Sequence, residues 1–118
     1  MMRLRSEQMD ALATDQRERY ADRVAAHLRE QFPDAAAMPW NELRTGVVAQ
    51  IAKAETHGLA LEQEQATYVT ASWLLGDDFD SRMPAAEATL SSAKLTGEEK
   101  RQWMEEFTRE VFARLEKG

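Results

Sequence analysis

Asp77-Asp78-Phe79-Asp80 is the densest group of side chains in this chain that could do chemistry. Closely spaced carboxylates can hold a divalent cation or share a proton, so a metal site is the first chemistry to test. Read as a calcium-binding loop from Asp78, the segment supplies Asp78 and Asp80 as ligands. Arg82 then falls in the next ligand slot, and Met83 stands where the sharp turn requires glycine. The spacing rejects a calcium loop. The expected role is local instead: one of the aspartates caps the following turn through backbone N–H groups, and Phe79 plugs the core.

The remaining candidates for catalysis are sparse. His27 and His57 fall on different expected helices, and neither belongs to a His-Glu-x-x-His pattern. His27 reads as a structural residue at a face boundary. His57 precedes Gly58 and is placed to donate to the last carbonyls of a helix and to complement its dipole. Ser72, Ser91 and Ser92 lack the flanking glycines of a nucleophile elbow. The 5 glycines are scattered singly, so no phosphate-cradling loop is present, and with 0 cysteines thiolate chemistry is excluded. The expectation is a protein without catalytic residues, metal or cofactor.

These residues are positioned by an all-α single domain, 1–118, of about five helices, with no sheet. The expected spans are near 6–31, 40–57, 61–75, 84–91 and 97–116. In the first, Ser6 is the expected N-cap, and Met9, Leu12, Tyr20, Val24 and Leu28 recur at helical spacing. Phe32-Pro33 ends it, because the residue before proline avoids the α region. The connector 34–40 has room for one turn of helix, and Pro39 suits the first turn of the next. Leu43, Val47, Ile51 and Ala54 form the inner face of the second helix, with Gly58 as its stop. Gly46 inside it is explained either by close approach of another helix or by chance. The third helix carries Leu61, Tyr68, Val69, Ser72, Trp73 and Leu75 and ends at Gly76. Asp77 to Arg82 reads as loop. Pro84 opens the fourth helix. Thr96-Gly97-Glu98-Glu99 is a capping box that opens the fifth, whose stripe is Trp103, Met104, Phe107, Val111, Phe112 and Leu115.

Composition bounds the partners. At 118 residues the chain is one domain in size, with 43% hydrophobic and 31% charged residues, as in ordinary globular proteins. The net charge of −6 divides as −1 over residues 1–59 and −5 over 60–118. Nucleic-acid binding needs clustered lysine and arginine to release counterions from phosphates, and no such cluster occurs. A basic or neutral protein surface is the better complement. Met1-Met2-Arg3-Leu4-Arg5 begins like a signal peptide, but Ser6-Glu7-Gln8 follows where an apolar run should be, so a cytoplasmic protein without membrane insertion is expected. Self-association through the first helix stays open, although its stripe is equally explained by an intramolecular core.

Among aromatic residues, Trp103 and Trp73 are expected in the core. Trp40, in a connector beside proline, is the best candidate for an exposed anchor, since tryptophan is enriched at interface hot spots. The candidate partner-binding residues are therefore Trp40 and the carboxylates Asp77, Asp78, Asp80, Glu62 and Glu64.

Leu4-Arg5-Ser6-Glu7-Gln8-Met9, Phe32-Pro33, His57-Gly58-Leu59, Tyr68-Val69, Leu75-Gly76-Asp77-Asp78-Phe79-Asp80 and Leu95-Thr96-Gly97-Glu98-Glu99-Lys100 occur in that order. Together they resemble a family of small all-helical bacterial proteins encoded near type VI secretion system effector and spike genes. The sequence departs from that family's pattern after Asp80, where Ser81-Arg82-Met83-Pro84 lacks the family's tryptophan. The resemblance implies a non-enzymatic accessory protein, an adaptor or chaperone for an effector or spike protein. An immunity protein neutralising a cognate toxic effector is the alternative within that setting. A small helical regulator, or a metal-assisted enzyme using the Asp77–Asp80 loop, is the alternative from another class.

Overall fold

The computed structural model describes the backbone of residues 6–117 and the side chains of residues 16 and 18–114. The Ser6 cap and the stripe positions Met9, Leu12 and Leu115 lie outside the described side chains. Every regular element among the described residues is helical: α1 (Ser6–Gln31), α2 (Pro33–Ala37), α3 (Trp40–Thr56), α4 (Glu62–Leu75), α5 (Phe79–Arg82), α6 (Pro84–Leu90) and α7 (Gly97–Lys117). None is long and apolar enough to cross a membrane.

The all-helical class agrees with the sequence expectation, while seven described helices replace the five expected. The two additions are short. Phe32 is extended at φ −129° and ψ 122°, as a residue before proline must be, and Pro33 then starts the single turn of α2. The Asp77–Arg82 segment, expected to be loop, contains α5. Its turn is closed by Ser81 and Arg82 N–H groups donating to the Asp78 carbonyl at 3.0 and 2.8 Å.

Contacts divide the chain into two compact units, Met1–Val48 and Ala49–Gly118, with the boundary inside α3. In the first, α2 packs on α1, and Tyr20, Ala21, Val24, Ala25, Leu28, Ala35, Leu43 and Val47 are buried. Arg44 Nε donates to Asp22 Oδ1 at 2.6 Å, tying the start of α3 to α1. Gly46 sits on an open face: a Cβ there would meet nothing within 4 Å, which removes close helix approach as its explanation.

In the second unit α7 packs chiefly on α4, α5 on α6, and α6 on α7. Their core is Ala54, Leu59, Tyr68, Ala71, Leu75, Phe79, Ala86, Leu90 and Met104. Three helix ends set its geometry. At the end of α3, Gly58 takes φ 78°. Its N–H donates to Glu55 O at 3.1 Å, and Leu59 N–H donates to Ala54 O at 3.1 Å. That pair of bonds is a Schellman stop, sealed by burial of Leu59 and Ala54 in one core. Gly76 ends α4 at φ 113° and ψ 149°, a region open essentially to glycine alone. At the start of α7, Thr96 N–H donates to Glu99 Oε1 at 3.0 Å and Glu99 N–H to Thr96 Oγ1 at 3.1 Å, the expected capping box.

A buried aspartate hub as the candidate functional site

The Schellman stop leaves His57 at the mouth of α3, and Lys53 lies one turn earlier on the same face. Tyr68 projects from the middle of α4 into the core. The chain leaves α4 through the glycine conformation of Gly76 and enters α5, whose first residues, Phe79 and Asp80, are buried. Lys53, His57 and Tyr68 thereby converge on the Asp80 carboxylate.

Asp80 Oδ2 accepts from His57 Nε2 at 2.8 Å and from the Tyr68 hydroxyl at 2.9 Å. Lys53 Nζ stands 3.3 Å from Asp80 Oδ1 and donates to the Asp77 carbonyl at 2.5 Å. Asp80 is only 8% exposed. Its burial pushes the carboxyl up, but the donors His57, Tyr68 and Lys53 together outweigh burial and hold it below its ordinary 3.8. The carboxylate is therefore ionised at neutral pH and can only accept. It follows that His57 Nε2 carries the proton in this contact. Burial, then the hydrogen bond to Asp80, then the charges of Asp80 and Asp77 push the Tyr68 hydroxyl well above its ordinary value, which keeps it protonated as a donor. The rings back one another, with His57 5.7 Å from Tyr68 and Tyr68 5.3 Å from Phe79 between centroids.

A second polar contact fixes the other side of His57. Lys100, 6% exposed on α7, donates to His57 O at 2.7 Å and to Leu90 O at 2.8 Å. One ammonium thus satisfies terminal carbonyls of α3 and α6, where positive charge also complements both dipoles. Glu64 does the converse at the start of α4. Its Oε1 accepts from Ala60 N–H at 3.1 Å and Leu61 N–H at 3.2 Å. A Cβ at Gly97 would collide with that carboxylate, so glycine at the first position of α7 lets α4 and α7 approach.

The expected site residues are therefore dispersed. Asp77, Asp78 and Asp80 share the α4–α5 corner, yet only Asp77 and Asp78 are exposed. Asp78 pairs with Arg82 Nε at 3.2 Å, and Arg82 also donates to the Leu75 carbonyl. The expected aspartate cap does not form: Asp78 is the residue before α5, but its side chain makes no capping bond. Its carboxylate turns to Arg82 instead, and Asp80 serves the hub. Phe79 does plug the core, fully buried. Glu62 is exposed, whereas Glu64 is buried and spent on backbone N–H groups. Trp40 is half-buried in the other unit, stacked on the Arg29 guanidinium at 5.1 Å, while Arg29 Nη2 donates to Met38 O at 2.9 Å.

The dipole role expected of His57 belongs to Lys100, and the imidazole joins Asp80. His27 is exposed. Trp73 and Trp103, expected in the core, are both half-buried, and Trp103 packs against the core's edge. Sequence reasoning missed Lys100, although a signal exists: it lies one turn before Met104 on the inner stripe of α7, where a lysine must find acceptors. It also missed the Lys53/His57 pair, whose i,i+4 spacing marks a shared face. Among the described residues no group of three or more histidine, aspartate or glutamate side chains is arranged to hold a metal ion.

Compared with protein-family models, with curated proteins and with solved structures, the chain matches none.

Proposed function

We propose that this is a non-enzymatic, protein-binding accessory protein of a type VI secretion system, acting as adaptor or chaperone for an effector or spike protein. The observation that carries the non-enzymatic part is the wiring of Asp80. A general acid or base must reach a substrate atom within hydrogen-bond distance. Asp80 turns both oxygens to His57, Tyr68 and Lys53 and stays buried beside Phe79. The Asp80 carboxylate is thereby committed to holding α3, α4 and α5 in register. The acidic character of residues 60–118 and the exposed Asp77 and Asp78 support a protein partner with basic or neutral surface. The secretion setting is supported by the ordered motifs from Leu4 to Lys100.

Co-purification tests the reading. The tagged chain is expected to recover the effector or spike protein encoded beside it at low salt, and recovery of neither sinks the proposal. An adaptor changes export of the effector without protecting cells that express it. Protection without an export defect assigns the immunity role instead.

A further inference from the structure

We propose that the second half of α7 docks a cationic amphipathic helix of a protein partner. The proposal names the partner chemistry for the protein-binding reading above and rests on it.

The first half of α7 buries Lys100 and Met104. From Glu105 to Arg114 no side chain of the helix is buried, although Phe107, Val111 and Phe112 are apolar and only partly packed on the core. Trp103 stacks on Phe107 with centroids 4.5 Å apart and planes 14° from parallel, giving the strip a rigid aromatic head. Trp103, Phe107 and Val111 follow one another at i+4, the ridge spacing into which another helix packs.

The rim of this strip selects the sign of the partner. Glu99, Glu106 and Glu110 stand at i−4, i+3 and i+7 from Trp103, so they line its outer edge in one row. Glu99 also caps Thr96. Glu106 and Glu110 are exposed one turn apart, and neither has an ion-pair partner among the described residues. Arg114 closes the row at its far end, and Arg109 lies further round the helix. A lysine-flanked apolar helix would satisfy the glutamates while covering Trp103 and Phe107. A second copy of this chain would instead bring like rows of glutamate together, and an anionic membrane or nucleic acid would be repelled.

The probe is a synthetic helical peptide with leucine on one face and lysine on the other, fluorescently labelled and titrated with the full chain. The same peptide with glutamate for lysine is the control. The cationic peptide is expected to bind in a salt-dependent way and the anionic one not at all. Trp103→Ala is expected to weaken binding about 10-fold, as for a central aromatic anchor. The doubly substituted Glu106→Lys/Glu110→Lys chain changes only exposed side chains, retains its helical circular dichroism, and loses binding by a similar factor. Equal binding of both peptides, or binding unchanged in both variants, overturns the proposal. So does a dimer in sedimentation that Trp103→Ala dissolves, because the face would then belong to a second copy. Failure of the secretion reading is separable. Peptide binding without recovery of an effector or spike protein keeps the face and removes the setting. Recovery undiminished by Glu106→Lys/Glu110→Lys keeps the setting and removes the face.

Discussion

The corner built by Lys53, His57, Tyr68 and Asp80 and the second half of α7 belong to one compact unit and are made on opposite plans. At the corner, polar groups are buried and matched: one carboxylate accepts from an imidazole, a phenol and an ammonium. Along α7, apolar groups are left half-covered and charged groups are left outside. A matched polar cluster in a low-dielectric setting specifies one arrangement, because any other leaves donors without acceptors. A half-covered apolar strip specifies little by itself and gains most when something else covers it. The first plan stabilises a fold; the second leaves apolar surface half-covered, as the proposed docking face requires.

The sharpest way to break that contrast is to delete an aromatic ring from each region. Phe79→Ala removes a fully buried ring from the core and is expected to cost about 4 kcal/mol, the range for phenylalanine truncation in a packed interior. Phe107→Ala removes a half-buried ring and is expected to cost about 1–2 kcal/mol, since much of its area is already wet. Urea unfolding of both variants measures the difference. Equal costs would mean that α7 is as tightly held as the corner.

The next effect comes from the carboxylate. Asp80→Ala leaves Tyr68, His57 and Lys53 without their common acceptor and is expected to cost about 3 kcal/mol. Asp80→Asn keeps an acceptor and a similar volume, so it is expected to cost less. A loss below about 1 kcal/mol for Asp80→Ala would show that water replaces the carboxylate freely and that the corner is not sealed.

How far these two regions could be read from the chain follows from sequence separation. The helix stops were legible because their causes are local. Gly58 needs its positive φ within two residues of the helix end, and Thr96 meets Glu99 three residues on. The stripe Met104, Phe107, Val111 was legible for the same reason, since one helix period encodes it. The hub was not. His57 and Tyr68 reach Asp80 across 23 and 12 residues, and Lys100 reaches His57 across 43. No period or spacing joins residues on different helices until the helices pack. Asp80 therefore read as a loop carboxylate beside Asp77 and Asp78, which it resembles in sequence and not in environment. The half-exposure of Trp103 escaped for a related reason: a stripe states which residues face inward, and not how much lies opposite them.

A smaller effect tests the same corner through pH. The Asp80 carboxyl is held below its ordinary 3.8 in the folded chain, so the folded state binds its proton less readily than the unfolded state. Its contribution is then fully present above the unfolded value and is lost as pH falls through the folded one, that is, below about pH 4. Glu98 and Glu99 are also lowered, by Arg101 and by the Thr96 backbone respectively, but both are exposed and respond to salt. Subtracting the acid titration of Asp80→Asn from that of the unsubstituted chain, at high salt, isolates the aspartate. A difference that stays constant from pH 6 to pH 2 would remove Asp80 from its role.

The smallest change is expected at Phe112, on the edge of α7 opposite Glu99, Glu106 and Glu110. Its side chain is half-buried and packs on the core from the rim. Phe112→Gln exchanges apolar area for a residue of good helix propensity, so part of the lost burial is offset and the net cost is expected within about 1 kcal/mol. Because the glutamate row and Trp103 are untouched, peptide binding should fall by less than about 3-fold, against about 10-fold for Trp103→Ala. A larger binding loss at Phe112 than at Trp103 would turn the docking face by roughly half the circumference of the helix. A stability loss as large as that of Phe79→Ala would mean that the far edge of α7 is core, and the contrast between the two regions would then be confined to the row beside Trp103.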